Sequence, residues 1–247
     1  MSMGPAKVWI TRAEPAATAT AERVAALGHT PIVAPLLKIV PIEDARIDLD
    51  GVGSLAFTSA NAVRAYAELN AERTGLKVFA VGAGTAAAAK AAGFRDVLSA
   101  DGDVSALATR IAARKRELGG VLLHPSAAEP AGDLVGDLNA AGVEARAVAL
   151  YDSVVTPPDA DFLAGLMELD TVLLHSPKAA RALAGVLRGK GATHLRLLCL
   201  SQAVSKPVAR TKVREVIRAP FPIEAALLNL IGRRGSPGIA PKAAKGH

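Results

Sequence analysis

Two stretches of this chain place a serine where an apolar run gives way to an alanine-rich one. The first is Ser54-Leu-Ala-Phe-Thr-Ser-Ala-Asn-Ala-Val-Arg-Ala-Tyr-Ala67 and the second is Thr171-Val-Leu-Leu-His-Ser-Pro-Lys-Ala-Ala-Arg-Ala-Leu-Ala184. In each, a strand-like run stops at a polar residue and a serine, Thr58-Ser59 or His175-Ser176, and an arginine follows five residues after the serine, Arg64 or Arg181. A serine in that place caps a helix, and the first helical turn beyond it carries unpaired N–H groups and a partial positive charge. The chemistry on offer is anion binding at the helix starts Ala60-Asn61 and Pro177-Lys178. Capping alone is the plain reading of either serine taken singly. Two such turns predict two similar lobes that grip one multiply charged ligand.

A third turn follows the run Lys77-Val-Phe-Ala-Val-Gly-Ala-Gly-Thr-Ala-Ala87. Gly82-x-Gly84-x-x-Ala87 is close to a dinucleotide fingerprint, in which glycines let the backbone approach a phosphate. It stands, however, at the second strand of its lobe, and the acidic candidates Asp101 and Asp103 fall in a glycine-bearing loop after the next strand. A nest for another anion at Gly84-Thr85, or a structural turn, reads better than an NAD site. Tyr151, one of two tyrosines, lies on an extended stretch between the lobes. Its phenol, with an ordinary pKa of about 10, stays protonated at neutral pH and can pass a proton to a leaving oxygen; packing is the plain alternative. Ser, His and Asp are all present without a Gly-x-Ser-x-Gly elbow, so hydrolase chemistry has little support. The five histidines show no metal-ligand spacing. The one cysteine, Cys199, lies inside the apolar run 195–200 and reads as an inert strand residue.

The elements that must hold these residues alternate regularly. Strands are expected at 8–11, 30–34, 55–58, 77–81, 96–98, 120–124, 145–150, 171–175, 195–200 and 213–217. Helices are expected over 15–27, 60–70, 84–92, 103–116, 131–141, 177–188, 203–209 and 222–232. Short connections of this kind call for parallel sheets with helices on both faces. Residues 35–42, punctuated by prolines, suit an edge or connecting ribbon, as do 147–155 running into Thr156-Pro157-Pro158. The resulting fold class is α/β: two similar lobes, each a five-stranded parallel sheet flanked by helices, joined by a two-stranded antiparallel ribbon. Lobe one takes residues 1–35 plus 156–232, the ribbon 36–42 and 147–155, and lobe two, inserted into lobe one, 43–146. The tail 233–247, rich in Gly, Pro and Lys, is expected to be disordered.

A chain of 247 residues that is 51% hydrophobic can bury two cores of ordinary domain size. Aromatics make up only 3%, which leaves little surface for stacking on bases and counts against single-stranded nucleic acid. The formal charge of +6 fits an acidic small molecule, RNA or DNA, or simple solubility. Its basic residues are dispersed apart from Arg114–Arg116 and the tail, and no nucleic-acid motif accompanies them. No secretory signal and no apolar run long enough for a membrane span is present, which points to the cytoplasm.

Six motifs occur in order: Val8-Trp-Ile-Thr-Arg-Ala-Glu-Pro15, His29-Thr-Pro-Ile-Val-Ala-Pro-Leu-Leu37, Phe57-Thr-Ser-Ala-Asn-Ala-Val63, Val78-Phe-Ala-Val-Gly-Ala-Gly-Thr85, Val148-Ala-Leu-Tyr151 and His175-Ser-Pro177. Together, over residues 7–231, they resemble the uroporphyrinogen-III synthases. The resemblance implies two α/β lobes with the active site in the cleft between them. It also implies the cyclisation of hydroxymethylbilane, a linear tetrapyrrole bearing eight carboxylates, to uroporphyrinogen III. Water is lost, the last ring is inverted through a spiro intermediate, and no metal or organic cofactor is needed. Tyr151 matches the family's proposed general acid. Thr58, Ser59, Ala60, Asn61, Gly84 and Thr85 in one lobe, and Ser176, Pro177 and Lys178 in the other, match substrate-binding positions; Thr11, Arg12 and Ser201 complete the implied set. The chain departs from the family at 125–130, where a glycine and a basic residue are common, and at Ser201-Gln-Ala-Val204, where threonines are common. A monomer is expected, with no nucleic-acid or membrane partner. A Rossmann-type NAD(P) oxidoreductase built on Gly82–Ala87 and a non-catalytic two-lobed binding protein for an anionic metabolite are the rival readings.

Overall fold

The computed structural model describes residues 4–70, 73 and 75–232. The chain divides into two compact units, Met1–Leu37 with Val155–His247, and Lys38–Val154. The tail over 233–247, for which disorder is expected, lies outside the described residues.

In the first unit, strands β1 (Lys7–Ile10), β2 (Thr30–Val33), β9 (Thr171–Leu174), β10 (Arg196–Cys199) and β11 (Glu215–Arg218) form one sheet in the order β11-β10-β9-β1-β2. Every pairing is parallel. Side chains alternate across a strand, and both faces of this sheet are covered, so the strands read as continuous apolar runs. Val8 and Ile10 of β1, with Leu173 and Leu198, meet Ala17 and Val24 of helix α1 (Ala16–Ala26) and Leu227 and Leu228 of helix α9 (Glu224–Leu228). On the opposite face Trp9, Val172, Leu174 and Leu197 meet Ala179, Ala180 and Leu183 of helix α7 (Pro177–Val186). Trp9 is fully buried, its indole N–H donates to the Ala34 carbonyl at 2.7 Å, and its ring lies 4.8 Å from that of Phe162. Truncating so large a buried side chain typically costs about 3–5 kcal/mol.

The second unit is built the same way from β3 (Leu37–Pro41), β4 (Val52–Phe57), β5 (Lys77–Ala80), β6 (Val97–Ser99), β7 (Val121–Ala127) and β8 (Ala145–Val155), in the order β3-β8-β7-β4-β5-β6. The pairings from β8 through to β6 are parallel. Leu55, Phe57 and Val78 pack on Ala62, Val63 and Tyr66 of helix α2 (Ala60–Leu69) and Ala89 of helix α3 (Ala83–Ala91). Ala56, Phe79 and Leu122 pack on Leu107 and Ile111 of helix α4 (Val104–Ala112) and Leu134 and Leu138 of helix α5 (Leu134–Ala140). The register of β4 on β7 shifts between Val52 and Ser54. A side chain at Gly53 would meet the Leu118 and Gly119 backbone at 2.3 Å, so the two backbones can approach there only through glycine.

β3 is the added edge strand that makes this sheet mixed. The Ile42 N–H donates to the Leu150 carbonyl and the Thr156 N–H to the Leu36 carbonyl, each at 3.0 Å. As one strand advances six residues the other retreats six, which is antiparallel register. The expected ribbon is therefore present, with its second half fused into β8, an eleven-residue strand that also closes the parallel set.

Some boundaries differ from expectation. The helix expected over 103–116 stops at Ala112, because residues 113–117 bury nothing before Leu118. The helix expected over 203–209 splits into α8 (Gln202–Ser205) and a 3-10 turn, Lys206–Val208, since Pro207 has no N–H to continue the ladder. Helix α6 (Ala160–Ala164) is absent from the sequence reading; Asp159 caps it at the Phe162 N–H, 2.7 Å.

Candidate functional site

Each duplicated turn forms as its sequence directs. Ser59, extended at φ −154° and ψ 153°, accepts the Ala62 N–H at 3.1 Å, and Ser176, at φ −141° and ψ 151°, accepts the Ala179 N–H at 3.1 Å. The caps satisfy one donor apiece and leave the other first-turn N–H groups of α2 and α7 as the anion-seeking ends. Ser201 caps the short α8 through the Val204 N–H at a longer 3.4 Å.

In the second unit the Ser59 hydroxyl has a second partner, the Tyr151 hydroxyl at 2.8 Å. Tyr151 is not an exposed ribbon residue as the sequence suggests. It is 6% exposed and packs into the core under α2, because β8 continues as an interior strand through this point. Burial pushes the phenol's pKa up, while the bond to Ser59 and the charge of Arg64 pull the other way. Arg64, half-buried, donates to the Asn61 side-chain oxygen Oδ1 at 2.5 Å. Thr85 is 8% exposed within the first turn of α3, and Gly82 caps that helix in an extended conformation. Thr58, Ser59, Ala60, Asn61 and Tyr151 are thus gathered around one helix start, with Gly84 and Thr85 at the next.

The dinucleotide alternative loses its physical basis here. Neither Gly82 nor Gly84 has a positive φ, no atom would lie within 4 Å of a side chain at either, and Ala87, where close helix packing would demand a small residue, is exposed. Asp103 caps α4 at the Ala106 N–H, 3.0 Å, and Asp101 accepts the Ser99 hydroxyl at 2.6 Å.

In the first unit, Thr11 is fully buried and its hydroxyl donates to the Leu173 carbonyl at 2.7 Å, tying β1 to β9. Arg12 donates to Glu224 Oε1 at 3.0 Å and to the Thr20 hydroxyl at 3.2 Å; Thr20 donates to the same Oε1 at 2.5 Å, and Arg23 bonds Oε2. Burial alone would raise the Glu224 pKa, but His175, Thr20 and Arg12 outweigh it and bring it from the usual 4.5 to about 2. His175 Nε2 stands 3.5 Å from Glu224 Oε1, too long for a formed hydrogen bond, and burial drives the ring below its ordinary pKa. Of its contributors, Thr20 and Arg12 therefore carry the depression. Sequence reasoning missed Glu224 altogether: it lies some two hundred positions from Arg12 and nothing local marks it. Ser176, Pro177 and Lys178 stand at the start of α7 close by in sequence to His175.

Cys199 is buried and its thiol is pushed up to about 12, which makes it inert as read. Among the described residues there is no group of three His, Cys, Asp or Glu side chains that could hold a metal ion, and no helix long and apolar enough to cross a membrane.

Known proteins supply the comparison. Residues 18–229 match the family model described as uroporphyrinogen-III synthase HemD. Among solved structures, the chain is similar to uroporphyrinogen-III synthetase from Helicobacter pylori 26695, at 15% identity and a TM-score of 0.65 over 92% of this chain and 97% of that one. It is also similar to a mutant uroporphyrinogen III synthase from the extremely thermophilic bacterium Thermus thermophilus, at 18% identity and a TM-score of 0.52 over 91% and 96%. At these identities the likeness is one of fold. None of the curated proteins matches the chain.

Proposed function

The chain belongs to the uroporphyrinogen-III synthase family, and from that membership we propose how its residues perform the ring closure. The family's reaction converts hydroxymethylbilane to uroporphyrinogen III with loss of water and inversion of ring D. The observation that carries the reading is the pairing of family membership over most of the chain with a tyrosine held by the cap serine of an anion-seeking helix.

Tyr151 gives its proton to the terminal hydroxyl of the substrate, and the carbon–oxygen bond breaks with its electron pair going to oxygen. Water leaves and an electrophilic azafulvene remains. The substituted carbon of ring D attacks it, and the spiro intermediate fragments and recloses with that ring turned round. The substrate supplies the reactivity; the protein supplies geometry, since holding a flexible chain in one conformer is worth many orders of magnitude over random encounter. First-turn N–H groups at Ala60-Asn61, Gly84-Thr85 and Pro177-Lys178, with the Thr58 hydroxyl, bind the substrate's carboxylates. Hydrogen bonds to charged acceptors are worth about 1.5–3 kcal/mol each. Arg12 serves with Glu224 as a held cation, Thr11 fixes the strand ends, and Ser201 contributes its helix start.

The same reading takes the protein as a cytoplasmic monomer without cofactor, bound to neither nucleic acid nor membrane. Chromatographic separation of the isomers formed from hydroxymethylbilane is the test. Excess type III over the type I formed without protein is the expected outcome; type I alone would exclude the function.

A further inference from the structure

The proton donor stands beside groups that the reaction so far leaves unused. Ser59 Oγ accepts the Ala62 N–H at 3.1 Å, so a single hydrogen and one lone pair remain for Tyr151 at 2.8 Å. If the phenol's own hydrogen is to reach substrate, Ser59 must donate to the phenol oxygen and not accept from it. When the proton leaves, that bond becomes charge-assisted and strengthens. Arg64 sits five residues along the same helix, half-buried, its guanidinium fixed by Asn61 at 2.5 Å. Asn61 thereby points Arg64 back along α2 towards the helix start that Ser59 caps.

Resting on the assignment of Tyr151 as proton donor, we infer that Ser59 and Arg64 are positioning residues that orient its hydroxyl and steady the phenolate left when the proton departs. The cycle balances: the phenol proton leaves with the hydroxyl as water, and the proton shed when the attacked pyrrole ring regains its aromaticity at closure returns to the phenolate. Arg64 then acts on the rate of proton transfer and not as a hook for substrate carboxylates. The ionisable groups on elements packed about Tyr151 include Lys38 on β3, His124 on β7, the adjacent Asp152, and Glu68 and Arg64 on α2; the charge of Arg64 works with the Ser59 bond against the upward push of burial on the phenol. Glu68 in turn acts on Arg64.

The chain has only two tyrosines, which makes the test direct. In a Tyr66→Phe background the ultraviolet absorbance of the phenolate reports Tyr151 alone. Arg64→Met should move that ionisation to higher pH by about one unit and lower kcat about tenfold with KM nearly unchanged, the two being the same energy read twice. Arg64→Lys, which keeps the charge, should recover most of both, and circular dichroism melts check that each variant folds. An unmoved ionisation, or a raised KM at constant kcat, overturns the inference and makes Arg64 a substrate ligand or a mere helix residue. Tyr151→Phe run alongside separates the two levels: its loss of turnover with an unmoved titration in Arg64→Met sinks only the role of Arg64, whereas an unchanged turnover removes Tyr151 as donor.

Discussion

The two serine turns are built from the same local rule and surrounded by opposite chemistry. Ser59 bonds a buried phenol; Ser176 follows a buried imidazole beside a carboxylate that holds two arginines. Both caps have the same 3.1 Å bond and nearly the same backbone angles. The turn sets where a helix start can meet an anion, and what arrives from distant sequence decides whether it does more. In the second unit that arrival is Tyr151 on the last strand; in the first it is Glu224 on the last helix.

The comparison can be broken at its strongest point with Tyr151→Phe. Removing a general acid typically costs about a hundredfold or more, so turnover in a coupled assay should fall at least that far while the melting temperature holds. Unchanged turnover would leave the second unit's turn with the same anion-binding role as the first and nothing more. Glu224→Gln probes the opposite side and should act on stability. Its carboxyl sits at about 2 against an ordinary 4.5, so its contribution, roughly 3 kcal/mol at most, is present in full above pH 4.5 and lost as pH falls towards 2. Chemical unfolding at neutral pH should show a loss of this order, and the variant's stability should decline less than the wild type's across that acid window. Parallel pH curves would mean that the arginines are indifferent to Glu224. The finest cut compares Ser59→Ala with Ser176→Ala. Each should cost about 1 kcal/mol as a lost cap and each should raise KM by loosening a substrate-binding helix start, but only Ser59→Ala should also lower kcat, because it is Ser59 that bonds the phenol. Equal kinetic effects in the two would erase the distinction.

Much of this was legible in the chain. The alternation of short apolar runs with alanine-rich segments predicts both parallel sheets and the insertion of one unit into the other, since parallel connections admit few topologies. The caps at Ser59 and Ser176 follow from residue type alone. The position of Tyr151 in sequence was readable but its burial was not: nothing in Val148-Ala-Leu-Tyr151 says that α2 will lie over the ring. Arg196 teaches the same lesson. It interrupts an apolar run yet is 3% exposed, because Glu215 on the neighbouring strand takes its Nε at 2.5 Å and the Ile231 carbonyl takes its Nη1 at 2.8 Å. Glu224 was invisible for the mirror reason, its partners being Arg12 and Thr20 at the other end of the chain. Periodicity registers which side chains are apolar; it carries no record of which polar groups long-range folding will bring face to face.

The pairing of β3 with β8 bears on the order in which a ribosome's product can assemble. Residues 38–154 are contiguous, so their strands can find one another as soon as they emerge, whereas β1 waits for β9, to which it is paired from Val8 to Thr171. Closing so long a flexible loop carries an entropic penalty that grows with the logarithm of its length. Once Ile42 is bonded to Leu150, the intervening stretch no longer counts as slack, and the remaining closure is that of a far shorter tether. An insertion that forms first would thereby shorten the closure that the split first unit has still to make.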